Sequence, residues 1–202
     1  MMTSRVSGLL QFDYGGLMEK GTIFFAGVYG VGKSTICMKL SVACNITAYS
    51  ASDLISDVNE EHYGKSKFVS NLDNNQAILR KRVEEILESE QTIILSGHFC
   101  ILDKDNRIIS IPDEIFHGLG ISKIILLEAD VNVIQINLSS RDGVLYSNDK
   151  LYELIEKERA KATLFADELK VPLLIYKMNY TEGDIKHIRD FINKGGNYES
   201  IT

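Results

Sequence analysis

A three-layer α/β fold, with a five-stranded parallel sheet flanked by helices, is predicted by three features of the sequence. Five apolar runs alternate with helical stretches from residue 21 onward. Three of these runs, TIFFAG, TIILSG and SKIILLEA, are apolar almost throughout rather than alternating, as strands covered on both faces are. A glycine-rich loop joins the first run to the first helix, where a phosphate-binding loop sits in such folds.

Each element has a local reason. Residues 1–20 mix glycine, serine and scattered apolar side chains without a period, and read as a tail or strap on a single domain spanning 21–202. Strand one is TIFFAG at 22–27, and a helix follows from Lys33 to about Ala43, with Ile36, Cys37, Leu40 and Ala43 at helical spacing. Strand two, ITAYS at 46–50, leads into a helical stretch at 53–64 that stops at a glycine. The clearest amphipathic helix covers 71–91, with Ile78, Leu79, Val83, Ile86 and Leu87 as its stripe.

Strand three, TIILSG at 92–97, is followed by two apolar runs around DKDN, a small hairpin with an exposed tip in which Asp103 and Asp105 form the turn. A short helix at 112–120 starts with proline and ends with glycine. Strand four covers 122–129, and Asp130 caps the helix after it. A long helix follows SND, VPLLIYKMN is the fifth strand, and TEGDIKHIRDFINKG closes the fold as a helix.

The net charge of −6 and a pI near 5.3 argue against a protein that wraps nucleic acid, because counterion displacement needs a dense positive surface. No apolar run approaches the ~20 residues of a membrane span. Three cysteines, Cys37, Cys44 and Cys100, lack metal-ligand spacing and read as free, packed thiols of a reducing cytoplasm.

GVYGVGKS, Gly27 to Ser34, fits G-x-x-x-x-G-K-[ST] after a buried strand and at a helix start. Backbone N–H groups of Gly27, Val28, Tyr29, Gly30, Val31 and Gly32 are expected to wrap phosphates, with the helix N-terminus adding attraction. Lys33 reaches the terminal phosphates, the Ser34 hydroxyl ligates Mg²⁺, and Thr35 supports the α-phosphate.

Together with TIILSGH at 92–98, LLEAD at 126–130, SRD at 140–142 and EKERAKA at 156–162, this loop makes the chain resemble the P-loop nucleoside monophosphate kinases. The similarity is greatest to short-lid archaeal-type adenylate kinases and related AAA and ATP-binding proteins, over roughly residues 21–193. It implies an acceptor-side insertion at about 53–91 and a short lid at about 139–149. It also implies Arg141 as a lid arginine and Arg159 as a second phosphate-facing cation, since a guanidinium fork binds two phosphate oxygens. Two departures stand out. The acceptor-site arginine of those kinases is replaced near Ser70, with Lys65 and Lys67 the nearest cations, and the aspartate ending strand three is replaced by Ser96.

Asp53, read at the end of strand two, is the substitute for that aspartate, as metal partner or base, with helix N-capping as its other reading. His98 leaves strand three at the carboxyl edge, where open α/β sheets bind ligands, and with Gln76 and Asp53 it is placed to contact an acceptor. The expected activity is transfer of the γ-phosphoryl group of ATP-Mg to a nucleoside monophosphate or other small acceptor. The alternative is a nucleotide-binding switch or slow ATPase subunit controlling a partner protein, with homo-oligomers also open. An N-K-x-D guanine signature is absent from the sequence, which argues against a GTPase.

Overall fold

The computed structural model describes residues 20–59, 72–103, 105–143 and 145–194. The tail expected over residues 1–20 (Lys20 apart), the end of the 53–64 helix, Lys65, Lys67 and Ser70 lie outside the described residues.

The main sheet contains β1 (Gly21–Ala26), β2 (Thr47–Ser50), β3 (Thr92–Ser96), β6 (Ile121–Glu128) and β7 (Leu173–Lys177). It is parallel throughout, in the order β2-β3-β1-β6-β7. The two remaining strands, β4 (Cys100–Leu102) and β5 (Ile108–Ser110), form an antiparallel hairpin, as the turn-rich DKDN predicts. Asp103 Oδ1 accepts from the Asp105 and Arg107 amides at 2.9 and 2.8 Å, closing that turn.

Around the sheet lie α1 (Lys33–Cys44), α2 (Ala51–Asn59), α3 (Leu72–Ser89), α4 (Asp113–His117), α5 (Val131–Asp142), α6 (Asn148–Leu169) and α7 (Glu182–Asn193). The helices flank both faces, so the central strands are buried on both sides: every residue of β1 is buried, as are Ile93, Ile94 and Leu95 of β3 and Ile124 to Leu127 of β6. This is why those strands carry no polar alternation. The edge strands β2 and β7 are only half-buried, so uniform burial fails there because one side lacks a neighbour.

Because the strands are parallel, the segments leaving β1, β2 and β3 emerge at one edge of the sheet. That edge brings together the glycine loop, the start of α2 and the Gly97–His98 turn. One sequence expectation shifts. Strand two ends at Ser50 and α2 begins at Ala51, so Asp53 occupies the first turn of the helix and is neither the strand end nor the N-cap. The segment expected as a lid over 139–149 consists of the last turn of α5, its left-handed terminator Gly143, a short connection and the first residues of α6, which Ser147 caps through the Lys150 amide.

Candidate active site

The loop between β1 and α1 is shaped by backbone constraints. Gly27 has φ +139°, and a Cβ there would lie 2.5 Å from the Leu127 carbonyl oxygen. Gly30, at φ +78°, would place one 2.9 Å from Leu138 Cγ. No other residue type fits these positions without displacing β6 or α5. Helix α1 then starts with no side-chain cap and no acidic residue in its first turn, so its N-terminal amides and partial positive charge are left for an anion.

Four carbonyls of the loop have donors of their own. Lys33 Nζ donates to Gly27 O at 2.6 Å and Val28 O at 3.1 Å. Asn137 Nδ2 donates to Gly30 O at 2.8 Å, and Tyr180 Oη to Val31 O at 3.4 Å. The acceptor groups that would repel a phosphate are thereby engaged.

From below, Glu158 of α6 holds the loop. Its carboxylate, 1% exposed, accepts from the Gly27 amide at 3.0 Å, from the Phe99 amide at 3.0 Å to each oxygen, and from the Cys100 amide at 2.6 Å. One side chain thus ties the glycine loop to the segment leaving β3. Burial pushes its carboxyl above the usual range, while the Phe99 amide, the Lys33 charge and the other two amides pull it back. The sequence reading missed this residue, although a signal existed: Glu158 falls in line with Leu151, Leu154, Ala162 and Phe165, the buried stripe of α6. A lone carboxylate in an apolar stripe needs buried partners.

A cavity of about 470 Å³ opens beside the loop. Lys33, Ser34, Asp53, Gln76, His98 and Arg141 all line it, together with Tyr29 and Gly30 of the loop. Six side chains from five separate segments therefore converge on one cavity. Tyr29 of the loop packs on His98, with ring centroids 4.3 Å apart, joining the phosphate end to the rest of the cavity. Burial pushes the Tyr29 hydroxyl well above its ordinary value, so it stays protonated.

Arg159 does not join them. Its guanidinium donates to Glu128 through Nε at 2.7 Å and Nη2 at 2.5 Å, and it is absent from the cavity wall. Helical geometry gives the reason: Glu158 faces the loop, and its neighbour lies 100° around the helix. Ser96, standing where an aspartate was expected, donates from Oγ to Tyr49 O at 3.3 Å. Cys37 is buried on α1, where burial raises its thiol to about 12 against the opposing charge of Lys33, an inert packed group as expected.

A parallel sheet whose first strand ends in this loop and helix defines the three-layer P-loop NTPase fold. The sequence matches the AAA domain family over residues 26–153, more than half of the chain, and the chain belongs to that family. Among solved structures, it is similar to a shikimate kinase from Bacteroides thetaiotaomicron (16% identity, TM-score 0.52, covering 85% of this chain and 96% of the other). It is also similar to a gluconokinase from Sinorhizobium meliloti 1021 (16%, 0.50, 86% and 91%) and to a sugar kinase from Janibacter sp. HTCC2649 (16%, 0.51, 84% and 91%). At such identities the likeness is one of fold. No curated protein matches the sequence.

Proposed function

We propose that the protein is an ATP-dependent phosphotransferase acting on a small acceptor. One observation carries this reading: Lys33 and Ser34 of the glycine loop share a single cavity with Asp53, Gln76 and His98, so a donor phosphate and an acceptor group can meet in one space. The structural likeness to small-molecule kinases supports it.

The phosphates of ATP lie on the loop amides and the start of α1, and Lys33 turns from the Gly27 and Val28 carbonyls toward them. Arg141 approaches from the end of α5 and offsets charge on the transferring group. An acceptor hydroxyl oxygen bonds to the γ-phosphorus as the bond to the bridging oxygen breaks, and ADP departs. Asp53 takes the hydroxyl proton and passes it to solvent.

A hydroxyl from Ser34 and a carboxylate from Asp53 line the same cavity, a donor set that fits magnesium, which keeps most of its shell as water and phosphate oxygens. Bound there, the ion supplies charge neutralisation between the phosphates. Among the described residues no three His, Cys, Asp or Glu cluster into a metal cage of their own. No described helix is long and apolar enough to cross a membrane. The free thiols favour a cytoplasmic setting.

The test is ATP turnover with and without a panel of nucleosides, nucleoside monophosphates and small alcohols. A phosphorylated acceptor is expected, and Lys33→Ala should abolish both ATP binding and turnover. Unchanged ATP binding in that variant overturns the reading. A second reading, a slow ATPase or nucleotide switch, is favoured by Ser96 in place of a carboxylate at the end of β3. It predicts release of inorganic phosphate with no phosphorylated product.

A further inference from the structure

The cavity is not uniform along its length. Among the described residues two Lys or Arg side chains line it, Lys33 at the end of the glycine loop and Arg141 in the last turn of α5. An apolar part of the wall is formed by Phe24, Leu79, Ile101, Ile115, Phe116 and Leu119, drawn from β1, α3, β4 and the α4 region. Such a surface favours an apolar ring-sized body.

Two further features set the acceptor's polarity. Asp53 and Asp57 lie one helical turn apart on α2, both exposed and both lining the cavity, so the approach carries two negative charges. On the same cavity, Gln76 has its amide Nε2 buried with no hydrogen-bond partner. A buried donor of this kind discriminates sharply for a ligand that supplies an acceptor, because any other leaves it unpaired.

We infer that the acceptor is an uncharged alcohol on an apolar, ring-sized body that carries a carbonyl or ring nitrogen. Its hydroxyl meets Asp53, its ring rests against the apolar part of the cavity wall, where Ile55 and Ile111 are partly exposed, and its carbonyl or ring nitrogen accepts from Gln76 Nε2. A molecule already bearing phosphate is repelled by the α2 carboxylates. This rests on the kinase reading and narrows its substrate class. It departs from the nucleoside monophosphate acceptor that sequence resemblance implies.

The experiment uses the full chain with Mg-ATP and matched pairs of probes: adenosine, cytidine, guanosine and uridine, each against its 5′-monophosphate. At least one nucleoside should be phosphorylated with kcat/KM at least about tenfold above that of its monophosphate. Gln76→Leu should raise the nucleoside KM about tenfold or more while leaving the KM for ATP in place. Asp57→Lys, at an exposed helix position, should narrow the gap between nucleoside and monophosphate. Equal or better turnover of the monophosphate overturns the inference and leaves the kinase reading standing. An unchanged nucleoside KM in Gln76→Leu removes Gln76 from the site and overturns the inference as stated. If neither member of any pair is phosphorylated while ATP is hydrolysed, the inference falls, and the kinase reading falls with it when small alcohols are not phosphorylated either.

Discussion

Glu158 shows how one residue bears on both the stability and the chemistry of the site. Its folded carboxyl titrates above its unfolded value because burial outweighs the amides and Lys33. The folded chain therefore binds that proton more readily than the unfolded one. The corresponding stability is fully present below the unfolded value, about pH 4.3, and is lost as pH rises through the folded value. Glu158→Gln removes the titration, so the stability of the variant relative to the parent should improve from about pH 5 to about pH 8, as urea melts would measure. A flat difference would show that the carboxylate does not titrate in this range. Gly27→Ala acts on the same loop through sterics: with φ at +139° and the Leu127 carbonyl 2.5 Å from the new methyl, it should lower stability by about 1–3 kcal/mol and weaken ATP binding. Both effects are readable by thermal melts with and without nucleotide.

At the scale of elements, the two arginines expected to face phosphate part company. Arg141, at the end of α5, lines the cavity, and Arg141→Ala should lower kcat by about tenfold or more with little change in melting temperature. Arg159 is half exposed and paired with Glu128, so Arg159→Ala should leave kcat in place and cost at most about 1 kcal/mol. Lys123 anchors a different pair of elements. Buried on β6, its Nζ donates to Ile192 O and Lys194 O, each at 2.7 Å, and so satisfies carbonyls at the end of α7. Lys123→Met should therefore destabilise by about 2 kcal/mol, seen as a shifted urea midpoint. The strands, the hairpin and the glycine loop were legible in the sequence because each is specified by its own short stretch: apolar runs, turn residues, a glycine-lysine spacing. The stripe of α6 made the burial of Glu158, and with it the turning away of Arg159, legible in the sequence, but the amides that Glu158 holds lie on distant segments and were not legible from local pattern. The start of α2 differs too: the helical stretch expected from Asp53 begins at Ala51 and carries Asp53 in its first turn.

For the molecule as a whole, nucleotide binding should stabilise the folded state through linkage. With ATP-Mg at a hundred times its Kd, the gain is about 2.7 kcal/mol, measurable as a rise in melting temperature that Lys33→Ala abolishes. The anchoring of the glycine loop has a further meaning for how the chain is made. The bond from Gly27 to Glu158 spans 131 positions of sequence, and the bond from Phe99 to the same carboxylate spans 59. A ribosome has long since released the loop before the residue that holds it emerges. The nascent chain therefore carries its glycine loop for most of synthesis with the Gly27 amide still without the Glu158 carboxylate that holds it in the folded protein.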